Sequence, residues 1–262
     1  MNLQGSRALR SAFLLALAGF LPACATNGPD PLESWNRPIF QFNEGFDKYL
    51  LEPAATGWDW VLPEVAQTGV RNFFDNMTMP VTLVNNILQL KPLAALQDLS
   101  RILINTTAGV GGFLDVATMI EIPENDEDFG QTLGRYGVPP GAYLVIPVLG
   151  SSTARDVWRI PADAAATPYY YFLPRWASMT AGAVDRLNRR AYILEDVRAE
   201  REDAIDFYVF VRNAYLENRQ YKVDDGAFQP SESQDDLYEI EEEDAVEQQP
   251  ESEDDLYEIE DD

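Results

Sequence analysis

The chain has 262 residues, 46% of them hydrophobic, which is enough for a sizeable core, and it carries a net charge of −25. Nineteen of the acidic residues lie between Asp224 and Asp262 with no basic residue among them, so residues 1–223 hold only −6 of that total. A balance this acidic argues against nucleic acid, whose phosphates require Lys and Arg. The sequence contains no histidine and one cysteine, which removes His-based triads, the commonest general base and the favoured zinc ligand. No carboxylate pair stands out in an apolar setting, so the expected class is not an enzyme, with no catalytic residue, no metal and no cofactor.

The N-terminus reads as a secretory signal over residues 1–23. Arg7 and Arg10 supply a basic start, Ala12 to Leu21 is a ten-residue run without charge, and Leu21-Pro22-Ala23 precedes Cys24. That apolar run is too short to span a bilayer. A cysteine directly after the cut is the mark of a bacterial lipoprotein, so Cys24 is the expected lipidation site, its thiol taking diacylglycerol and its amine a further acyl chain such as palmitate. The alternative is a chance cysteine, which would leave a lone thiol in an oxidising compartment. One acyl chain binds a membrane reversibly, whereas two or three anchor it. Ala25 is not the Asp that retains lipoproteins in an inner membrane, so the periplasmic leaflet of the outer membrane is the expected address.

Residues 24–223 form the expected body. Ile39, Phe42, Phe46, Tyr49 and Leu50 repeat at helical spacing behind Pro38, which suits a first turn. A second helix is expected from Pro80 to Gln89, with Val81, Val84 and Leu88 on one face, and a third from Pro92, with Leu93, Leu96, Leu99 and Leu103 in register. Proline and glycine punctuate these segments where strand alternation is absent, so the fold class is mostly α. Between Arg101 and Glu121 the only charge is Asp115; Val138 to Thr153 has none; Ala164 to Pro174 holds Tyr169, Tyr170, Tyr171 and Phe172, with Trp176 beyond. Such short aromatic-rich stretches suit either segments entering a bilayer partway or an ordinary core edged with tyrosine. From Val184 to Val223 the apolar positions Leu187, Leu194, Val197, Ile205, Tyr208, Val211 and Tyr215 alternate with charge, as in one or two amphipathic surface helices.

Several ordered stretches resemble the VacJ/MlaA family of outer-membrane lipoproteins. They are Asp30-Pro31-Leu32-Glu33 with Asn36-Arg37 and Phe40-Gln41-Phe42-Asn43, then Ser100-Arg101, Asn105-Thr106 and Gly109 to Ala117. Asp128 to Gly137 follows, with Gly141-Ala142-Tyr143, Pro147 and Ser151 to Asp156, and finally Tyr208 to Tyr215. The resemblance spans roughly residues 30–220. It implies a single ring-shaped helical domain partly embedded in one membrane leaflet. Such a protein removes mislocalised phospholipids from the outer leaflet, passes them through a central pore to a periplasmic lipid carrier, and associates with trimeric porins. The rival expectation is a lipoprotein that scaffolds porins or envelope contacts without moving lipid, which needs no polar passage.

On this reading the pore candidates are Phe42 and Asn43 beside the conduit, Asn105 and Thr106 on its polar side, Gly109, Gly111 and Gly112 where backbone approaches closely, and Asp115. Each has a plainer reading: Phe42 as core, Asn43 as a polar helix face, Asn105 as a satisfied side chain in a turn, the glycines as a turn, and Asp115 as a helix cap. The acidic loop Glu121 to Asp128 is either a partner surface or an exposed charged loop. Residues 224–262 read as a disordered acidic tail. In it Asp-Asp-Leu-Tyr-Glu-Ile-Glu occurs twice, nineteen residues apart. Leu237 with Ile240, and Leu256 with Ile259, would each present two apolar anchors on one helical turn for docking the carrier; the plainer reading is a solvating polyanion that keeps the tail off anionic lipid.

Overall fold

The computed structural model describes residues 30–227, and these are mostly helical. Cys24 and the repeated tail motif, with Leu237, Ile240, Leu256 and Ile259, lie outside the described residues.

Helix α1 (Glu33–Phe46) starts five residues before Pro38, which sits inside it. The start is set earlier by Asp30, whose carboxylate accepts the Leu32 N–H (3.0 Å) and the Asn36 side-chain amide (3.2 Å). A π-helical segment (Asp47–Leu51) links α1 to α2 (Glu52–Val61). Helix α3 is longer than the expected Pro80–Gln89, covering Glu64–Leu88 with Pro80 internal. A turn through Leu90 (φ +59°) returns the chain antiparallel as α4 (Pro92–Thr107), which begins at the proline the sequence singles out. Short helices α5 (Val116–Met119) and α6 (Phe129–Arg135) follow.

Val138 to Thr153 forms an antiparallel hairpin, β1 (Tyr143–Ile146) with β2 (Gly150–Thr153), pairing Tyr143 with Thr153 and Ile146 with Gly150. No strand is apparent in the sequence because the pair is short and its order depends on α1. Asn36, fully buried, donates to the Tyr143 carbonyl (3.0 Å) and accepts from Val145 N–H (3.0 Å). Asn43 donates to the Ile146 carbonyl (3.0 Å) and accepts from Val148 N–H (2.7 Å). One face of α1 thus serves as the hairpin's third hydrogen-bonding edge.

A 3₁₀ turn (Asp156–Trp158) leads into α7 (Arg159–Ala166) and α8 (Tyr169–Phe172). Three helices close the body: α9 (Arg175–Tyr192), α10 (Leu194–Asp203) and α11 (Phe207–Val223). The break between the last two comes at Asp206, which caps α11 by accepting from Tyr208 and Val209 N–H and binds Arg37 through both oxygens (3.2 and 2.7 Å).

The distribution of polarity is the unusual feature. Among the described residues twenty-three buried side chains are polar or charged and eleven are apolar, the reverse of a water-soluble core. Six of the eleven gather in two small clusters. One is Ala55, Ala191 and Leu194 with Trp58 and Leu187; the other is Tyr143, Val145 and Tyr208 with Phe40 and Tyr215. Helix α4 shows the inversion most clearly. It buries Ala95, Asp98, Arg101 and Asn105, while Leu93, Leu96, Leu99 and Leu103 are 69%, 60%, 42% and 57% exposed. Val84 and Leu88 on α3 are exposed as well, and only Val81 of the expected apolar face is buried. Tyr170, Tyr171, Phe172 and Trp176 are also exposed, so the tyrosine-rich stretch is not the edge of a conventional core.

Candidate functional site

Behind the leucine face, α3 and α4 enclose a partly open cavity of about 330 Å³. Arg71, Asn72, Asp75, Asn76 and Met79 of α3 line one side; Arg101 and Asn105 of α4, with Asp115 and Glu124 from the following loops, line the other. Met79 is the only apolar side chain in this wall.

The wall is held by directional bonds. Arg101, 2% exposed, donates to Asp115 (2.9 Å), to the Thr118 hydroxyl (3.0 Å) and to the Ile122 carbonyl (2.7 Å). Asp115 accepts from Thr118 N–H (3.1 Å), capping α5, and from the Asn105 side chain (2.9 Å). Burial pushes the Asp115 carboxyl up, but the hydrogen bonds from Thr118 and Asn105 and the Arg101 charge outweigh it and hold the group below its ordinary range. Asn105 also accepts from Ala117 N–H (2.9 Å), so both ends of its amide are satisfied. One turn of α4 away, Asp98 is fully buried and accepts from Asn86 (2.7 Å) and Asn125 (2.8 Å). Its desolvation exceeds the help of those amides and of Arg101, and its carboxyl is raised.

The structure gives Asp115 both placements open from the sequence, helix cap and cavity wall. Asn105 lines the cavity too, from the last turn of a helix and not from a turn. Thr106 is exposed and accepts from the Asn76 amide (3.0 Å), just outside the wall. Gly109 packs so tightly on the Leu114 and Asn105 carbonyls that no Cβ fits, and a Cβ on Gly112 (φ +98°) would lie 2.7 Å from that of Asn76. Gly111 (φ +73°) faces open space. These glycines shape the loop behind the cavity without lining it. Phe42 and Asn43 lie elsewhere: Asn43 is spent on the hairpin, and Phe42 is 57% exposed, not core. The loop Glu121 to Asp128 is only partly free. Glu127 is buried against Lys91 (2.8 Å) and Gln89 (2.7 Å), and Asp128 binds Arg219 through both oxygens (2.7 and 3.0 Å).

Arg71, Asn72, Asp75, Asn76, Met79 and Glu124 were not expected at the site. A signal existed, since 71/75, 72/76 and 75/79 repeat at i, i+4, but it is visible only once the helix is extended back through Pro80.

A second charged knot ties the closing helix to the body. Asp156, fully buried, binds Arg155 (2.8 Å) and Arg219 (3.0 Å) and accepts from the Tyr215 hydroxyl (3.0 Å). Burial raises its carboxyl, yet the two guanidiniums prevail and pull it down to about 2. Gly130 lets the knot close, since a Cβ there would meet Asp156 Oδ1 at 2.5 Å.

The MlaA lipoprotein family matches residues 28–222. Among similar proteins is the intermembrane phospholipid transport system lipoprotein MlaA of Haemophilus influenzae, 35% identical over 235 residues, covering 84% of this chain and 92% of that one. The protein of the same name from Escherichia coli is 33% identical over 255 residues, covering 90% and 99%. An uncharacterized protein of Rickettsia felis is 35% identical over 195 residues, covering 74% and 78%. A solved structure from work on the structural basis for maintenance of bacterial outer membrane lipid asymmetry superposes with a TM-score of 0.67 at 34% identity, covering 75% of this chain and all of that one. With its polar-cored helical fold and these matches along nearly the whole described body, the chain belongs to the MlaA lipoprotein family.

Proposed function

We propose that this protein is a phospholipid-transport lipoprotein, anchored through Cys24 in the periplasmic leaflet of the outer membrane, that maintains lipid asymmetry. It removes phospholipids mislocalised in the outer leaflet and passes them through a central pore to a periplasmic carrier. The observation that carries this reading is the inverted polarity of α3 and α4. Leucines stand free on the outside while Arg101, Asn105, Asp115 and their neighbours line a cavity within. A soluble protein rarely leaves such a continuous apolar face bare. In a leaflet it contacts acyl chains, and no helix needs to cross: among the described residues none is long and apolar enough to do so. The exposed tyrosines and Trp176 suit the headgroup zone. A scaffold that moved no lipid would have no use for a polar-lined cavity. The tail anchors Leu237, Ile240, Leu256 and Ile259 would recruit the carrier, and a trimeric porin is a further partner.

The test is outer-leaflet phospholipid in a strain lacking the protein, complemented with wild type or Cys24→Ala. Surface phospholipid should rise in the deletion and be cleared by wild type but not by the unlipidated form. Normal surface phospholipid in a deletion strain with no second family member overturns the reading in favour of the scaffold.

A further inference from the structure

Two of the five ionic side chains in the cavity wall are left without a full partner. Asp75 accepts from Arg189 (2.5 Å), and Arg101 and Asp115 bind one another (2.9 Å). Arg71 has no carboxylate partner among the described residues; its guanidinium lies over the Tyr192 ring, 4.4 Å from the centroid, which leaves its edge donors available. Glu124 has Arg101 as its one cationic neighbour among the described residues, at 3.8 Å, and that guanidinium is already held by Asp115, while the Asp75, Asp115 and Asp126 carboxylates repel it. The wall also contains one buried donor and one buried acceptor without partners, Arg101 Nε and Asn76 Oδ1, on side chains that are 2% and 4% exposed. The cavity therefore offers one uncommitted cation and one uncommitted anion within about 330 Å³, the low end of the range for small-ligand sites. That space suits a headgroup and excludes acyl chains.

Resting on the transport reading above, we propose that this cavity selects phospholipids with a zwitterionic phosphoethanolamine headgroup, Arg71 meeting the phosphodiester and Glu124 the primary ammonium. An anionic glycerol headgroup satisfies Arg71 but brings no cation to Glu124. A choline headgroup brings a cation with no N–H to donate.

The test uses the lipidated full-length protein and dihexanoyl phospholipids with ethanolamine, glycerol or choline headgroups, titrated by calorimetry. A charge-assisted hydrogen bond is worth a factor of about ten or more, so the ethanolamine lipid should bind about tenfold more tightly than the glycerol lipid. Glu124→Gln should remove that preference by weakening the ethanolamine lipid alone, Glu124→Asp should retain it, and Arg71→Gln should weaken all three. Both positions are at least partly solvent-exposed, and unchanged melting temperatures separate recognition from folding. Equal wild-type affinities, or parallel losses in Glu124→Gln, overturn the headgroup assignment while leaving transport intact if the same variants still clear surface phospholipid in cells. Glycerophosphoethanolamine should bind about as tightly as the dihexanoyl lipid, because the acyl chains lie outside the cavity; loss of binding without the chains would overturn recognition by the headgroup. Failure of every phospholipid to bind overturns this proposal, while the transport reading stands or falls with the surface-phospholipid test above.

Discussion

Replacing Leu93, Leu96, Leu99 and Leu103 together with Gln isolates the contribution of the α4 face to membrane affinity. Glutamine is nearly as good a helix former as leucine, and none of the four side chains belongs to the buried set, so the fold should stand. Exposures of 69%, 60%, 42% and 57% leave on average a little over half of a leucine free to move from water into acyl chains. Full burial of a leucine is worth about 2 kcal/mol, so each contributes about 1 kcal/mol and the four about 4 kcal/mol, roughly a thousandfold in partition coefficient. The lipid anchor would mask the effect, so the comparison belongs in a Cys24→Ala background, by co-sedimentation with vesicles. Binding should fall by two to three orders of magnitude while the far-ultraviolet circular dichroism spectrum and melting temperature are kept. Unchanged partition would show that the leucine face does not meet lipid; loss of the fold would show that the face is internal to an assembly.

Two further perturbations address the polar interior. Thermal melts of Gly109→Ala, Gly112→Ala and Gly111→Ala should be graded. Gly109 should lose the most, 3 kcal/mol or more, because the new Cβ meets two backbone carbonyls; Gly112 should be intermediate, with Asn76 able to shift; Gly111 should lose about 1 kcal/mol for its left-handed φ alone. Equal losses would refute a role set by close packing. Burial, with Asp128 nearby, pushes the Asp163 carboxyl up to about 6 against the hydrogen bond from Phe129 N–H. The folded state thus holds its proton more tightly than the unfolded chain does, and stability falls as pH rises from about 4 to about 6. Asp163→Asn keeps the acceptor for Phe129 and should be about 1–2 kcal/mol more stable than wild type at pH 7.5, a figure reduced for partial exposure. The gap should close at pH 4, and a gap independent of pH would refute the assignment.

Helix positions were legible wherever proline or apolar periodicity announced them, as at Pro92. What periodicity could not reveal was which face turns inward. The leucine stripe on α4 has the spacing of a core face, and Asp98, Arg101 and Asn105 have the spacing of a solvated one, yet their roles are exchanged. Periodicity reports that two faces differ; the surrounding medium decides which is buried. The hairpin was illegible for another reason, since its order is imposed by Asn36 and Asn43 from a hundred residues upstream. At the cavity, the order of residues along the chain marked the Asn105–Asp115 loop but not its opposite wall. That wall lies on the stretch of α3 before Pro80, a residue that ordinarily opens a helix and here lies within one.

The leucine face also bears on how such a protein reaches its destination. A fold finished in water would present this surface to every other copy, and bare apolar faces on partly matured proteins are a common route to clumping. The order of events is therefore constrained. On the proposed lipid-facing reading, either α3 and α4 close on their polar interior only where lipid is already at hand, or the body travels with an escort seated over the leucines and sheds it on arrival.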